Sequence, residues 1–321
     1  MIGEYRPKTK TINMMLLDGG LGDHVGSSVA IDYALNRYKW ITPLIWVPDY
    51  FVEFCQHLLR KHDVEVFGYS RMRTRYNPNY PTKTTKWDGH TSPMKLSLVD
   101  YGFLKLLDEN PDICHKNYLQ IDPEIIQSRY TIPDNSVIVT TGYTADVREF
   151  LPSEVNKVTK WLLEQGLNPV FLGSTETKTG GRHTIKGAFK EEIDFSQGLN
   201  LIDKTTLLEA SKIIAQSKAV IGVDNGLLHV AGCTQTPIIG GFTTVDPIHR
   251  MPVRNNVLGW RYYPLTPEQS LECRFCQSNT NFLYGHDYRN CLYKDINPAK
   301  TNLCSKQMTA EKFINALKSI I

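Results

Sequence analysis

Short apolar runs rich in β-branched residues alternate with amphipathic stretches through both halves of this chain. Continuous apolar runs are typical of buried strands, and apolar positions three or four residues apart are typical of helices. The pattern predicts strands at 11–17, 43–47, 64–67, 118–121, 137–141, 168–172, 219–223 and 237–241. It predicts helices at 26–38, 50–59, 96–107, 152–165, 205–215, 227–232 and 309–321. Because strand and helix alternate twice over, we expect an α/β protein with two doubly wound parallel sheets and a ligand cleft between them.

One stretch of the first half, residues 68–93, breaks this pattern and predicts a long loop. The wider segment 60–95 holds eight Lys and Arg against three Asp and Glu, with Tyr and Trp between them. Such a composition suits an anionic or extended partner, and a solvated loop without a partner is the alternative. Residues 130–136, which carry Pro133-Asp134-Asn135, are the predicted linker between the halves.

The junction after the apolar run 219–223 is the first candidate for chemistry. Asp224, Asn225 and Gly226 follow this run, and His229 lies one helical turn beyond Asn225. A strand, a tight loop and a helix start aim backbone N–H groups at one point, which suits an anion such as a diphosphate. The polar side chains would add hydrogen bonds to a sugar, although an ordinary strand–helix turn uses the same residues.

A second Gly-rich junction follows the first predicted strand, with Asp18, a run of glycines that includes Gly22, and then Asp23 at the start of a helix. Its spacing matches neither a dinucleotide fingerprint nor a P-loop. The Asp23 carboxylate can cap the helix or act as a base at the mouth of a cleft, and both interpretations stay open.

Together the two junctions resemble glycosyltransferase family 9, the heptosyltransferase-like enzymes. Members open with a strand, a Gly-Asp pair and a helix, matched here by Gly22-Asp23. They carry a Gly-Asp-Thr/Asn-Gly-x-x-His-x-Ala signature, matched by 222–231, and a Thr-Pro, strand, Phe-Gly-x-Thr-x-Pro segment, matched by 236–247. The resemblance implies the GT-B fold, with two doubly wound parallel-sheet domains facing across a cleft.

On this basis we expect three units along the chain. Residues 1–133 form the acceptor-side domain, and 134–308 form the nucleotide-sugar-binding domain, which includes a Cys-rich finger at 271–305. The last helix, 309–321, is expected to pack back across the domains, as in the resembled family.

The resemblance implies an inverting glycosyltransferase that moves a sugar, with heptose among the candidates, from a nucleotide-sugar donor to a hydroxyl acceptor, without a catalytic divalent cation. Asp23 is the implied base, and Asp18 is the runner-up. Arg148 departs from the family's Lys-Arg-Trp-Pro-like element, but an arginine can still bind a phosphate with two parallel hydrogen bonds. The expected donor-binding residues are Gly22, Thr141, Gly142, Arg148, Asp224, Asn225, Gly226, His229 and Thr243. The alternatives are a nucleotide-sugar epimerase of the same fold and a non-catalytic sugar-nucleotide or nucleic-acid binding module.

Four of the seven cysteines cluster late in the chain. Cys273 and Cys276 form a Cys-x-x-Cys pair, and Cys291 and Cys304 follow in the loop-rich segment 271–305. Two thiolates on one turn supply half of a tetrahedral sulfur site, and two more complete it. We therefore predict a structural Zn or Fe, with free thiols or two disulfides as alternatives. A similar four-cysteine iron finger occurs in the protein-modifying branch of the resembled family, the bacterial autotransporter heptosyltransferases.

Composition changes this picture little. The balance of 36 Lys and Arg against 33 Asp and Glu gives a net charge of +3, which makes no global case for nucleic acid. No run approaches the roughly 20 apolar residues of a membrane span, and the polar start of the chain does not resemble a secretory signal. The remaining cysteines, Cys55, Cys114 and Cys233, are scattered and expected to be inert. We expect a cytoplasmic protein whose acceptor is a protein, a lipopolysaccharide core or modified DNA, and we leave a homo-oligomer open.

Overall fold

The computed structural model describes residues 10–17, 19–86, 96–142, 146–178, 184–186, 192–278, 291, 293, 299 and 301–321. Within them the strands are β1 Lys10–Met15, β2 Ile41–Val47, β3 Val66–Gly68, β4 Thr82–Thr84, β5 Ser136–Thr140, β6 Asn168–Leu172, β7 Glu176–Lys178, β8 Thr184–Lys186, β9 Leu199–Asn200, β10 Ala219–Val223, β11 Ile238–Gly241, β12 Val253–Arg254, β13 Val257–Leu258 and β14 Tyr262–Leu265. The α-helices are α1 Leu21–Arg37, α2 Val52–Leu58, α3 Met72–Arg75, α4 Leu98–Leu107, α5 Pro152–Glu164, α6 Leu207–Ala215, α7 Gly226–Gly232, α8 Leu303–Lys306 and α9 Ala310–Lys318.

Two parallel sheets carry the fold, as the alternating pattern predicts. The first has four strands in the order β3-β2-β1-β4, and the second has six in the order β14-β11-β10-β5-β6-β9. All neighbours within both sheets are parallel. Parallel strands need crossover connections, which explains why helices separate most of them along the chain. Two small antiparallel pairs, β7-β8 and β12-β13, lie outside these sheets.

The two halves share one apolar core. Buried residues from β1, α1 and α2 join residues from β5, β6, β10 and α7 in a single cluster. Helix α1 packs against α7, and α2 packs against α6. The carboxyl ends of β1 and β10 therefore approach each other, which is where the two candidate junctions lie.

The predicted loop at 68–93 is wrong for much of its length. Its described part, up to residue 86, contains the short helix α3 and the strand β4, which pairs with β1. The Asn13 side chain on β1 donates to the backbone oxygens of Asn77 and Tyr80 at 3.1 and 3.4 Å, which brings this polar segment to the sheet edge. Its short polar strand has no apolar pattern to signal it, and residues 87–93 lie outside the described part.

The predicted strand at 118–121 is also absent from the first sheet. The Tyr118 N–H donates to the Val253 oxygen at 2.8 Å, and the Ile121 N–H donates to the Cys233 oxygen at 2.9 Å. The segment therefore runs along the second half, and its apolar side chains are buried in the shared core. Two strands of the second sheet, β9 and β14, were not predicted from the sequence.

The last helix, α9, packs on α5, β11 and β14 of the second half, whereas 309–321 was expected to pack back across the domains. The Phe313 ring of α9 stacks on Phe150 with ring centroids 4.3 Å apart, and the Ala310 N–H donates to Glu154 at 2.7 Å. Phe313 and Leu317 belong to the core on the outer face of the second sheet. The apolar face of α9 is thus packed against α5 and this sheet.

In the described part of the chain, no helix combines the length and the apolar composition that crossing a membrane requires.

The residue just before the predicted linker, Arg129, is held to the second half by a charged pair with a testable pH dependence. Arg129 donates to both oxygens of Glu209 at 2.7 and 2.8 Å, and Glu209 also caps α6. These bonds to Arg129 and to the Thr206 N–H outweigh burial and lower the pKa of Glu209 from 4.5 to about 2. The ionised carboxylate therefore stabilises the folded state above pH 4.5, and this contribution is lost as the pH falls towards 2.

We accordingly expect Arg129→Met to lower the free energy of unfolding at pH 7, and we expect its difference from the unsubstituted protein to shrink between pH 4.5 and 2. Chemical denaturation at several pH values measures this difference. A difference that stays constant over that range would contradict the assignment.

Candidate functional site

Asn225 joins the loops at the end of the second sheet. It is the N-cap of α7, and its Oδ1 accepts from the Leu227 and Leu228 N–H groups at 3.0 and 3.3 Å. Its Nδ2 donates to Thr140 Oγ1 at 3.0 Å and to the Gly142 oxygen at 3.1 Å. Two of the first amides of α7 are thus satisfied within the protein, so this helix start is less open to an anion than the sequence suggested.

Asp224 is the centre of a buried charge cluster. Its Oδ2 lies 3.2 Å from Arg148 Nη1 and 3.8 Å from Arg250 Nε, and its Oδ1 lies 3.9 Å from His229 Nε2. Burial by itself raises the pKa of this carboxyl, but the charge of Arg148, the nearby His229 imidazole and the charge of Arg250 together lower it. Asp224 is therefore ionised at neutral pH and holds these three side chains around it.

His229 is fixed from both halves of the molecule. Its Nδ1 lies 3.2 Å from the Tyr118 hydroxyl, and its ring lies beside Gly22 of α1. A Cβ on Gly22 would be 2.4 Å from the His229 ring, and a Cβ on Gly226 would be 2.7 Å from Leu21 Cβ. The predicted glycines at 22 and 226 thus share one physical role, which is to let the starts of α1 and α7 approach closely.

Gly20 is the N-cap of α1, and Asp23 is its third residue, which reaches back to the N-cap and also lies near the cluster. Its Oδ2 accepts from the Gly20 N–H at 2.8 Å, and its other oxygen accepts no hydrogen bond from the described residues. The charge of Asp23 helps to raise the pKa of Tyr118 and acts in the same direction on Arg250. The structure therefore brings Asp23 of the first half close to the Asp224 cluster of the second. Asp18, the alternative base, lies outside the described residues.

The other predicted donor-site residues border this cluster. The buried Thr141 Oγ1 has no hydrogen-bond partner among the described residues. Thr243 Oγ1 donates to the Val147 oxygen at 2.6 Å, so its hydroxyl supports the loop that carries Arg148. Arg148 Nη2 also donates to Gln277 Oε1 at 3.0 Å. The structure thus gathers the predicted residues in one place, and their roles towards a donor stay predictions.

Sequence reasoning missed Arg250, which is only 5% exposed. It follows the turn Pro247–His249 after β11. The one available signal was its position three residues after Pro247, at the end of the family-like segment. A single arginine after a turn is ordinarily a surface residue, so this signal is weak.

The four late cysteines are near one another. All seven cysteines are free thiols, so the two-disulfide alternative is wrong. Burial raises the pKa of Cys276 to about 12, and the charges of Cys304, Cys273 and Cys291 add to this shift. Burial and the charges of Cys273 and Cys291 raise the pKa of Cys304 to about 11. In the described part of the chain, however, no three His, Cys, Asp or Glu side chains are grouped so that they could hold a metal ion.

The Cys-rich segment docks directly beside Arg148. Gln277, next to Cys276, accepts from the Arg148 guanidinium. Ser305, next to Cys304, donates to the Val147 oxygen at 2.9 Å. Order in this segment therefore affects the backbone and the side chain of a predicted donor-site residue.

Comparison of the sequence with known proteins indicates a single family of glycosyltransferases. The family model described as glycosyltransferase family 9 (heptosyltransferase) matches residues 116–278. Lipooligosaccharide heptosyltransferase 2 of Haemophilus influenzae is 33% identical over 98 residues, which are 30% of this chain and 28% of that protein. The matched segment thus spans less than a third of this curated relative.

Solved structures show the same fold. The iron-containing dodecameric glycosyltransferase TibC from enterotoxigenic E. coli H10407 superposes with a TM-score of 0.73 at 13% identity, covering 98% of this chain and 79% of TibC. TibC in complex with ADP-D-β-D-heptose gives a TM-score of 0.72 at 12% identity, covering 98% of this chain and 76% of that one. Because the family model matches just over half of the chain, the protein belongs to glycosyltransferase family 9, the heptosyltransferase family, and has its GT-B fold.

Proposed function

We propose that this protein is an inverting glycosyltransferase, which moves a sugar from a nucleotide-sugar donor to a hydroxyl acceptor. The observation that carries the proposal is the buried cluster of Arg148, Asp224 and His229, with Asp23 of the other half beside it. TibC was solved with ADP-D-β-D-heptose, so ADP-heptose is the first donor to test.

The side chains supply what such a transfer needs. Asp23 would accept the proton of the acceptor hydroxyl as its oxygen attacks the anomeric carbon. The bond from that carbon to the diphosphate breaks on the opposite face, and its electron pair stays on the diphosphate oxygen. Arg148, held by Asp224, would stabilise the charge that develops there, so the proposed mechanism requires no catalytic divalent cation.

The acceptor would bind the first half, which presents an unpaired cationic surface. Its five basic residues are exposed, and none forms an ion pair within the described part of the chain. They are Arg71, Arg73, Arg75, Lys83 and Lys86. An anionic acceptor matches this charge, and a lipopolysaccharide core, an acidic protein surface and DNA are the candidates.

A donor panel tests the proposed activity. The protein is incubated with ADP-heptose and other nucleotide sugars, with and without candidate acceptors, and release of nucleoside diphosphate is measured. Acceptor-dependent release supports transfer. An epimerised donor without release would support the epimerase alternative, whereas binding without turnover would support a binding module.

We also propose that Cys273, Cys276, Cys291 and Cys304 hold a structural metal. The chemistry of four neighbouring thiols fits Zn or Fe, and TibC is described as iron-containing. The ion would draw the thiols into one coordination sphere and replace their protons.

Seven free thiols suit a reducing compartment, so we propose a cytoplasmic location. TibC is dodecameric, so we also propose that this protein forms a homo-oligomer, which light scattering can measure.

We expect Cys273→Ser to lose the metal and to loosen the Cys-rich segment, while the two sheets remain folded. Because this segment contacts Arg148, donor affinity should fall as well. The matched control is Cys114→Ser, since Cys114 is an exposed thiol outside the cluster. Elemental analysis after purification under reducing conditions measures zinc and iron. Active protein that holds less than about a tenth of an equivalent of zinc plus iron would contradict the role of these cysteines.

A further inference from the structure

Arg250 is a buried cation in the contact between the two halves. Its Nε lies 3.8 Å from Asp224 Oδ2, and its Nη1 donates to the His249 oxygen at 3.0 Å. Carboxylates of both halves, Asp224 and Asp23, raise its pKa, so both negative charges lie near this guanidinium. Burying a guanidinium is costly, so a charge in this position needs an explanation.

A second arginine shares the same carboxylate oxygen. Arg148 Nη1 lies 3.2 Å from Asp224 Oδ2, so two guanidinium groups converge on one atom. Asp224 Oδ2 accepts a hydrogen bond from neither group within the described residues, and the 3.8 Å separation from Arg250 is too long for one. The buried Arg148 Nε has no hydrogen-bond partner among the described residues. Arg148 Nε is therefore a buried donor that points to a further acceptor beside this pair of charges.

We propose that Arg250 is a second phosphate-binding residue, which together with Arg148 binds the diphosphate of the nucleotide-sugar donor. This inference rests on the proposed function. As the bond to the sugar breaks, the electron pair remains on the diphosphate, and the two guanidinium groups stabilise the added charge without transferring a proton. Asp224 is then a positioning residue, which keeps two like charges together before the donor binds.

The arrangement suits a diphosphate better than a sugar. Each planar guanidinium can donate two parallel hydrogen bonds to one phosphate, so two adjacent groups match two linked phosphates. A sugar hydroxyl both donates and accepts, and a pair of groups that only donate serves half of that capacity. A lysine at either position would keep the charge but lose the planar geometry.

The test uses calorimetric titration of the full chain with ADP, inorganic pyrophosphate and adenosine. We expect Arg250→Lys and Arg250→Gln to weaken ADP and pyrophosphate binding by about tenfold and a hundredfold, the range for a lost hydrogen bond to a charged group. Adenosine has no phosphate, so its affinity should not change. A general structural disturbance would change adenosine and ADP affinity together.

The matched control is Arg254→Lys. Arg254 is also a buried arginine of the second half, but its guanidinium donates to the backbone oxygens of Thr234, Thr236, Trp260 and Arg261. This variant should melt earlier and yet bind pyrophosphate normally. The exposed Arg261→Lys replaces it if Arg254→Lys does not fold.

The inference is overturned if the unsubstituted protein binds neither ADP nor pyrophosphate, or if Arg250→Gln binds pyrophosphate as tightly as the unsubstituted protein does. Pyrophosphate binding that depends on Arg250, in a protein that consumes no nucleotide sugar, would instead contradict the proposed function and leave the phosphate site intact.

Discussion

Asp23→Asn is expected to lower the rate of sugar transfer by about two to four orders of magnitude, the usual effect of removing a general base. The asparagine oxygen can still accept from the Gly20 N–H, so this bond at the start of α1 is kept. The fold and the donor affinity should therefore be retained. Initial rates at saturating donor, together with a donor titration, separate a lost base from a lost binding site.

The matched control is Asp194→Asn, which changes an exposed capping aspartate of the second half. It should leave the rate unchanged. Asp23→Ala adds a further test, because it removes the bond to the Gly20 N–H as well as the base and should cost about 1 kcal/mol more in stability than Asp23→Asn. Turnover of Asp23→Asn near the unsubstituted rate would remove Asp23 from the mechanism.

Gly22→Ala is expected to cost about 1–3 kcal/mol of stability and about a hundredfold in transfer rate. Alanine favours a helix more than glycine does, so local propensity alone predicts stabilisation. The new Cβ, however, would lie 2.4 Å from the His229 ring, which is buried and held by Tyr118. Either the ring or α1 must move, and both carry residues of the site. Denaturant unfolding and initial rates measure the two effects.

Gly20→Ala is the control for this substitution. The nearest atom to its Cβ would be Asp23 Oδ2 at 3.9 Å, and the φ of Gly20 is −94°, which any residue adopts. A small change in helix capping is all that we expect from it. Equal losses in Gly20→Ala and Gly22→Ala would show that the close contact with His229 is not what limits position 22.

The buried strands of the second sheet were the most predictable part of the fold. The predictions 168–172 and 219–223 coincide with β6 and β10 in both bounds, because strands covered on both faces have continuous apolar sequences. The strand β4 was missed, since Thr82–Thr84 is a short polar edge strand without such a pattern. The apolar pattern of 118–121 does reflect burial, but the segment is buried as a crossing chain and not as a strand.

The candidate site was predictable where local sequence determines geometry. Asp23 follows β1 of the first sheet, and Asp224 and His229 follow β10 of the second. In parallel sheets, ligand clefts lie at such carboxyl ends of strands. Arg250 has only a weak local signal, because the carboxylates that act on its charge, Asp224 and Asp23, lie elsewhere in the chain. The sequence also did not indicate which domain α9 packs on, since its apolar face would suit either one. The packing of Phe313 on Phe150 places it on the second half.

The contact between the starts of α1 and α7 also restricts how this sequence can change over time. Two pairs meet there, Gly22 with His229 and Gly226 with Leu21, and each has room for a single side chain beyond the backbone. A substitution on one helix therefore becomes tolerable only after its partner on the other helix has become smaller. Mutations at these four positions will not be additive, and related sequences that acquire a side chain at 22 or 226 should carry a compensating change in the opposite half.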